Sequence, residues 1–165
     1  MTVWHIAFEH NIWATHTLLR ACASLTPEQL DRPFEMGPGS VRKTLLHMAS
    51  AQIYWTDRLL DRARADAQYP GETHRAASVD EIAKLHQQTS AEFQQVALSL
   101  IEGGKLAETI KASPRPEAHP IRIASVLYHV CHHGTHHRAQ ILNMLRHLGV
   151  RPLPAIDVDD WEQTL

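Results

Sequence analysis

Residues 124–147 read ASVLYHVCHHGTHHRAQILNMLRH, and this stretch decides the fold. At 100° per residue, Val126, Leu127, Val130, Ile141, Met144, Leu145 and Leu148 fall on one arc, the signature of an amphipathic helix. The spacing predicts a helix from about Ala124 to His147, stopped by Gly149 and Pro152. Five histidines lie between positions 129 and 137. His133 and His137 fall within or at the edge of the apolar arc. His129 sits on its flank, and His132 and His136 point away. Two imidazoles four residues apart project from one face about 6 Å apart along the axis, close enough to chelate one ion.

Working outward, the rest of the chain repeats the helical pattern. Val3, Ile6, Ala7, Trp13, Ala14, Leu18 and Ala21 make one stripe, predicting a first helix from about Thr2 to Ser24. Thr26-Pro27-Glu28 opens a short helical turn, and Arg32 to Gly39 is a loop. Ser40 caps a second long helix predicted to run to about Ala65. Ser78-Val79-Asp80-Glu81 matches the reciprocal serine–glutamate capping box, starting a third helix that ends at Gly103-Gly104. Residues 105 to 123 read as a small hairpin or irregular crossover, and the tail forms a last short helix around Asp159 to Gln163. Four long amphipathic helices with one long crossover connection make an all-α four-helix bundle. Such a fold builds metal sites from side chains on facing helices.

The bulk composition narrows the function. The 165 residues predict a single domain spanning 1–165. A net charge of −2 with neutral histidines, and no basic run, argue against nucleic acid as a partner. No eighteen-residue apolar span exists, and the first twenty residues lack the apolar core of a signal peptide. The expectation is therefore a cytoplasmic protein with no membrane partner. Cys22 and Cys131 form no disulfide framework and no CxxC motif, which fits a reducing compartment. Both read as small packing residues. Histidine is the anomaly, at thirteen residues with no terminal run to suggest a tag.

Periodicity leaves the third ligand open. His47, on the stripe of Ala51, Tyr54 and Arg58, flanks the second helix's apolar arc. His10 stands in the middle of the first helix's stripe, where a buried imidazole needs a partner.

Several segments together are similar to one family. Glu9-His10-Asn11-Ile12-Trp13-Ala14, Ser40-Val41-Arg42-Lys43-Thr44-Leu45-Leu46-His47 and His133-Gly134-Thr135-His136-His137-Arg138-Ala139-Gln140-Ile141, followed by Leu145-Arg146-His147-Leu148-Gly149 and Asp157, resemble the DinB-like superfamily. Its bacterial four-helix proteins include bacillithiol transferases and mycothiol-dependent maleylpyruvate isomerases. The resemblance implies that His47, His133 and His137 are the metal ligands. It also implies one divalent ion, commonly zinc or nickel, and a homodimer. Two positions depart from the pattern: His10 stands where tyrosine is frequent, and Ala139 where glycine is.

Three neutral imidazoles leave a bound ion its full charge and an open position, the arrangement of catalytic rather than structural zinc. That chemistry could activate a water or a thiol, and the resemblance favours the thiol: a metal-dependent S-transferase joining a low-molecular-weight thiol to an electrophile, in detoxification or stress response. The alternatives are a metal-dependent hydrolase and a non-catalytic metal-binding stress protein. Further expectations are an Arg138–Asp157 pair at the end of the fourth helix, Gln140 orienting a ligand or substrate, and Trp13, Tyr54 and Trp55 as core aromatics. The charges from Asp57 to Asp66 read as a solvated helix face.

Overall fold

A computed structural model describes residues 2–65 and 68–165. The four long helices are α1 (Val3–Cys22), α3 (Val41–Leu59), α5 (Val79–Glu102) and α6 (Ile123–His147), with short helices α2 (Pro27–Asp31), α4 (Pro70–Thr73) and α7 (Val158–Glu162) between and after them. The caps read from sequence are present. Ser40 Oγ accepts from the Lys43 amide at 3.2 Å, and Ser78 and Glu81 satisfy each other's amides at 3.3 and 2.7 Å. Each cap satisfies an amide that the helix itself leaves without a partner.

α1 and α3 occupy opposite corners, each packed against both α5 and α6. Cross-helix contacts give the directions. Ala7 meets Cys131 while Thr15 meets Arg138, so α1 runs parallel to α6. His47 meets His133 while Trp55 meets His129, so α3 is antiparallel to α6. Leu45 meets His86 while Gln52 meets Thr89 and Ser90, so α3 and α5 are parallel neighbours. Parallel neighbours require the chain to travel back along the whole of α3, about 28 Å for a helix of this length. The long crossover is therefore the connection from Leu60 to Ser78. It passes α3 with the Gly71 amide donating to Ser50 Oγ at 3.2 Å and the Arg42 guanidinium donating to the Ala77 carbonyl. Residues 105–123 instead hold the hairpin: β1 (Thr109–Lys111) pairs antiparallel with β2 (Pro120–Arg122), Ile110 opposite Ile121.

α3 stops at Leu59, short of the predicted Ala65. Asp61 adopts φ +50°, turning the chain. Asp57, 2% exposed, then takes the Arg64 and Arg62 side chains at 2.6 and 2.9 Å, and Arg62 reaches on to Glu92 at 2.8 Å. The charged stretch is thus an ion-pair network that closes the helix end rather than a solvated face. The buried carboxylate at its centre demands cationic partners. Asp66, the last residue of that stretch, lies outside the described residues.

The core has two apolar halves. One gathers Leu18, Cys22, Leu45, Ile82, Ile141 and Leu145; the other gathers Phe8, Phe93, Ile123, Leu127 and Val130. Between them lies a buried polar layer of Asn11, Thr15, Gln52, His86, Ser90 and Arg138. Among the described residues no helix is long and apolar enough to cross a membrane.

Candidate metal centre

At the level of this polar layer three histidines converge. His133 and His137 share a face of α6, and the antiparallel α3 brings His47 across to them. His133 Nε2 lies 3.1 Å from His47 Nε2 and 3.0 Å from His137 Nε2. One nitrogen from each ring can be chosen so that all three lie within 4.8 Å of one another. Around a tetrahedral zinc ion with bonds of about 2.0–2.1 Å, neighbouring ligand atoms sit roughly 3.3–3.4 Å apart. The two closer contacts need open by only a few tenths of an ångström to match such a shell. The three imidazoles can hold a metal ion. His47 is exposed, His133 half-buried and His137 buried.

Burial and crowding keep these rings neutral. Burial, reinforced by His137 and His47, pushes His133 down to about 3. Burial likewise lowers His47 and His137. Protonating one imidazole beside the others would place like charges a few ångströms apart in a partly dry site. At neutral pH each ring therefore keeps a lone pair for coordination. No carboxylate or thiol belongs to the set, so a bound ion would keep its double positive charge.

Two spaces adjoin the histidines. An interior cavity of about 20 Å³ touches His133 beside Asn11, Gln52, Trp55 and His86, room for about one water. On the outer side, a cleft of about 500 Å³ runs past His47, Lys43, Ser50, Glu72 and Arg75.

His10, the rival for the third position, stands elsewhere. Its Nε2 lies 2.9 Å from the Ile156 carbonyl, and its ring leans on Trp13 and Trp161, tying α1 to the C-terminal tail. Gln140 does orient a ring: its Oε1 lies 2.8 Å from His137 Nδ1. Arg138 and Asp157 do not pair. Arg138 is 2% exposed and donates to Asn11 Oδ1 at 2.6 Å, Thr15 Oγ1 at 3.2 Å and Thr135 Oγ1 at 3.0 Å, whereas Asp157 caps α7. Burial lowers the Arg138 guanidinium to about 10; the neutral oxygens around it take the place of a counter-ion. Trp55 is only half-buried and stands edge-on to His129 beside the interior cavity, making it a wall as well as a core residue. Tyr54 donates to the Ala112 carbonyl at 2.7 Å, fastening the hairpin. Burial pushes the Cys22 thiol up to about 12 and the Cys131 thiol to about 11, so neither is a nucleophile at neutral pH.

Sequence reasoning missed the polar layer. The available signal was Asn11 and Thr15, polar residues four apart within α1, and His86 in α5. His86 Nε2 lies 2.9 Å from the Leu45 carbonyl on α3.

An antiparallel pair of helix faces presenting three convergent imidazoles defines the class: a four-helix bundle with a tri-histidine site able to bind metal. The family is equally specific. The model of the DinB family matches residues 2–164, and the chain belongs to that family. It is 24% identical over 152 residues to Protein DinB of Bacillus subtilis (strain 168), covering 89% of this chain and 87% of that protein. The crystal structure of a DinB-like protein from Bacillus cereus superposes with a TM-score of 0.69 at 17% identity, covering 93% of this chain and 95% of that one. The latter likeness shows the fold.

Proposed function

We propose that His47, His133 and His137 ligate one divalent ion, zinc or nickel, and that the protein is a metal-dependent transferase of a low-molecular-weight thiol, acting in detoxification or stress response. The observation that carries this reading is the convergence of three neutral imidazoles, one of which, His47, lines an open cleft of about 500 Å³. An ion held by three neutral ligands supplies Lewis acidity at an open position, lowering the pKa of a thiol that reaches it. With such an ion bound, an incoming thiol would give its proton to water and use a sulfur lone pair to form the new S–C bond. The leaving group would depart from the electrophile with its bonding pair. The chain's own part is to orient the rings and to shape the cleft. Lys43 sits one turn before His47, lines the same cleft and makes no ion pair among the described residues. It offers a positive charge to an anionic end of either reactant. The two free cysteines support a cytoplasmic setting. An apolar groove of about 510 Å³ between α1 and α6, flanked by exposed Val3, Tyr128 and Val158, supports a homodimer.

Metal analysis of the wild type beside His47→Ala, His133→Ala, His137→Ala and His10→Ala tests the ligand set. Each of the first three should lose the ion, and His10→Ala should keep it; metal retained without His47 refutes the assignment. Metal-loaded protein should then consume a bacterial thiol in the presence of a chromogenic electrophile. Turnover without added thiol would point to hydrolysis instead. No turnover, together with a large loss of thermal stability on chelation, would point to a metal-binding stress protein.

A further inference from the structure

We infer that Gln140 is the positioning residue of the tri-histidine centre, dictating which nitrogen of His137 carries the proton, and that Gly37 locks Gln140 in place. The inference rests on the reading that these histidines hold an ion. It starts from an asymmetry. Among the described residues, His137 alone of the three rings has its outward nitrogen bonded to a side chain: Nδ1 to Gln140 Oε1 at 2.8 Å. An amide oxygen only accepts. Nδ1 must therefore carry the hydrogen, and in a neutral imidazole the lone pair is then left on Nε2. That is the nitrogen facing His133 Nε2 at 3.0 Å.

The orientation of the amide is itself secured from two sides. Gln140 Nε2 lies 3.0 Å from His136 Nε2, where it donates. Turning the amide over would keep both contacts only if His137 moved its hydrogen to Nε2 and His136 donated from Nε2, and His137 Nε2 would then have no lone pair for an ion. This gives His136, exposed on the outer face of α6, a role that periodicity did not suggest. On the opposite side, the loop between α2 and α3 passes so close that a Cβ on Gly37 would stand 2.2 Å from Gln140 Oε1 and 2.9 Å from its Cδ. Gly37 also has φ +52°, a conformation that suits glycine. Four residues later the same loop becomes α3, which carries His47. A single glycine contact thus connects the segment leading to one ligand with the amide that orients another.

Partners that orient a ligand from behind typically change metal affinity by about 10–100-fold when removed. The experiment is chelator competition for cobalt(II), with the ligand-field absorption of the bound ion as a second readout. The proteins are wild type, Gln140→Leu, Gln140→Glu, Gly37→Ala and the Gly37→Ala/Gln140→Leu double variant, with metal-free melting temperatures as a fold control. Gln140→Leu is expected to weaken cobalt binding by about 10–100-fold and to alter the absorption band. Gln140→Glu, which keeps an acceptor at the same place, is expected to restore wild-type affinity. Gly37→Ala should weaken binding alone but add nothing to Gln140→Leu, because both act through one contact. Wild-type affinity in Gln140→Leu, or a Gln140→Glu variant as weak as Gln140→Leu, overturns the inference while leaving the metal site standing. Failure of the wild type to bind cobalt overturns the metal site and this inference with it.

Discussion

Acid should destabilise the metal-free protein in part through one histidine that is not a candidate ligand. His86 is 2% exposed, between α3 and α5, with its Nε2 bonded to the Leu45 carbonyl. Burial outweighs that bond and pushes its pKa from 6.5 down to about 4. In the unfolded chain the ring binds a proton below about 6.5, whereas in the folded protein it resists protonation until about 4. The unfolded state therefore holds more protons across this window, and stability falls as pH drops through it. Two to three pKa units at 1.36 kcal/mol each amount to about 3 kcal/mol, most of which is lost by pH 4.5. Glutamine at position 86 retains a donor for the Leu45 carbonyl and cannot titrate. Urea unfolding of wild type and His86→Gln at pH 7 and pH 4.5, followed by circular dichroism with EDTA present, isolates this contribution. Other histidines with lowered values, His133 among them, act in both proteins and cancel in the difference. The wild type should lose roughly 2–3 kcal/mol more than the variant between the two pH values. Equal losses would refute the reasoning.

Two further substitutions probe the elements that position the site. A Cβ on Gly134 would stand 2.4 Å from Asn11 Oδ1 and 2.9 Å from Arg138 Nη1, so Gly134→Ala should destabilise by about 1–3 kcal/mol. Asn11→Ser clears the nearest obstruction and should recover part of the loss in a thermal melt; an undiminished effect would place the clash elsewhere. Asp57→Asn removes the buried charge that Arg62 and Arg64 share and should cost about 2 kcal/mol, whereas Glu92→Gln, at a half-buried partner of Arg62, should cost less than about 1 kcal/mol. Similar values for the two in urea denaturation would show that burial of Asp57 does not set the strength of the network.

Local chemistry and periodicity were enough for much of the molecule. α6 was legible from its apolar arc, and the caps at Ser40 and Ser78 were legible because capping depends on residues three apart. His133 and His137 followed from the same rule, since i and i+4 share a face whatever the helix packs against. The position of the long crossover was not legible. Whether α3 and α5 run parallel depends on which faces bury best against each other, and the answer moved the return of the chain to Leu60–Ser78. The early end of α3 escaped for a similar reason: Arg62 and Arg64 are ordinary helix formers until a buried Asp57 calls their side chains back.

The third histidine marks the boundary most clearly. Sequence alone determined that two imidazoles face inward from one helix, and family likeness added an expectation for their partner. Only the tertiary structure put His47 within about 3 Å of His133 and sent His10 to the C-terminal tail. The contact joins residues 86 positions apart, and helical spacing carries no information across such a distance. What decides it is the antiparallel docking of α3 on α6, set by the apolar residues on both sides of the site.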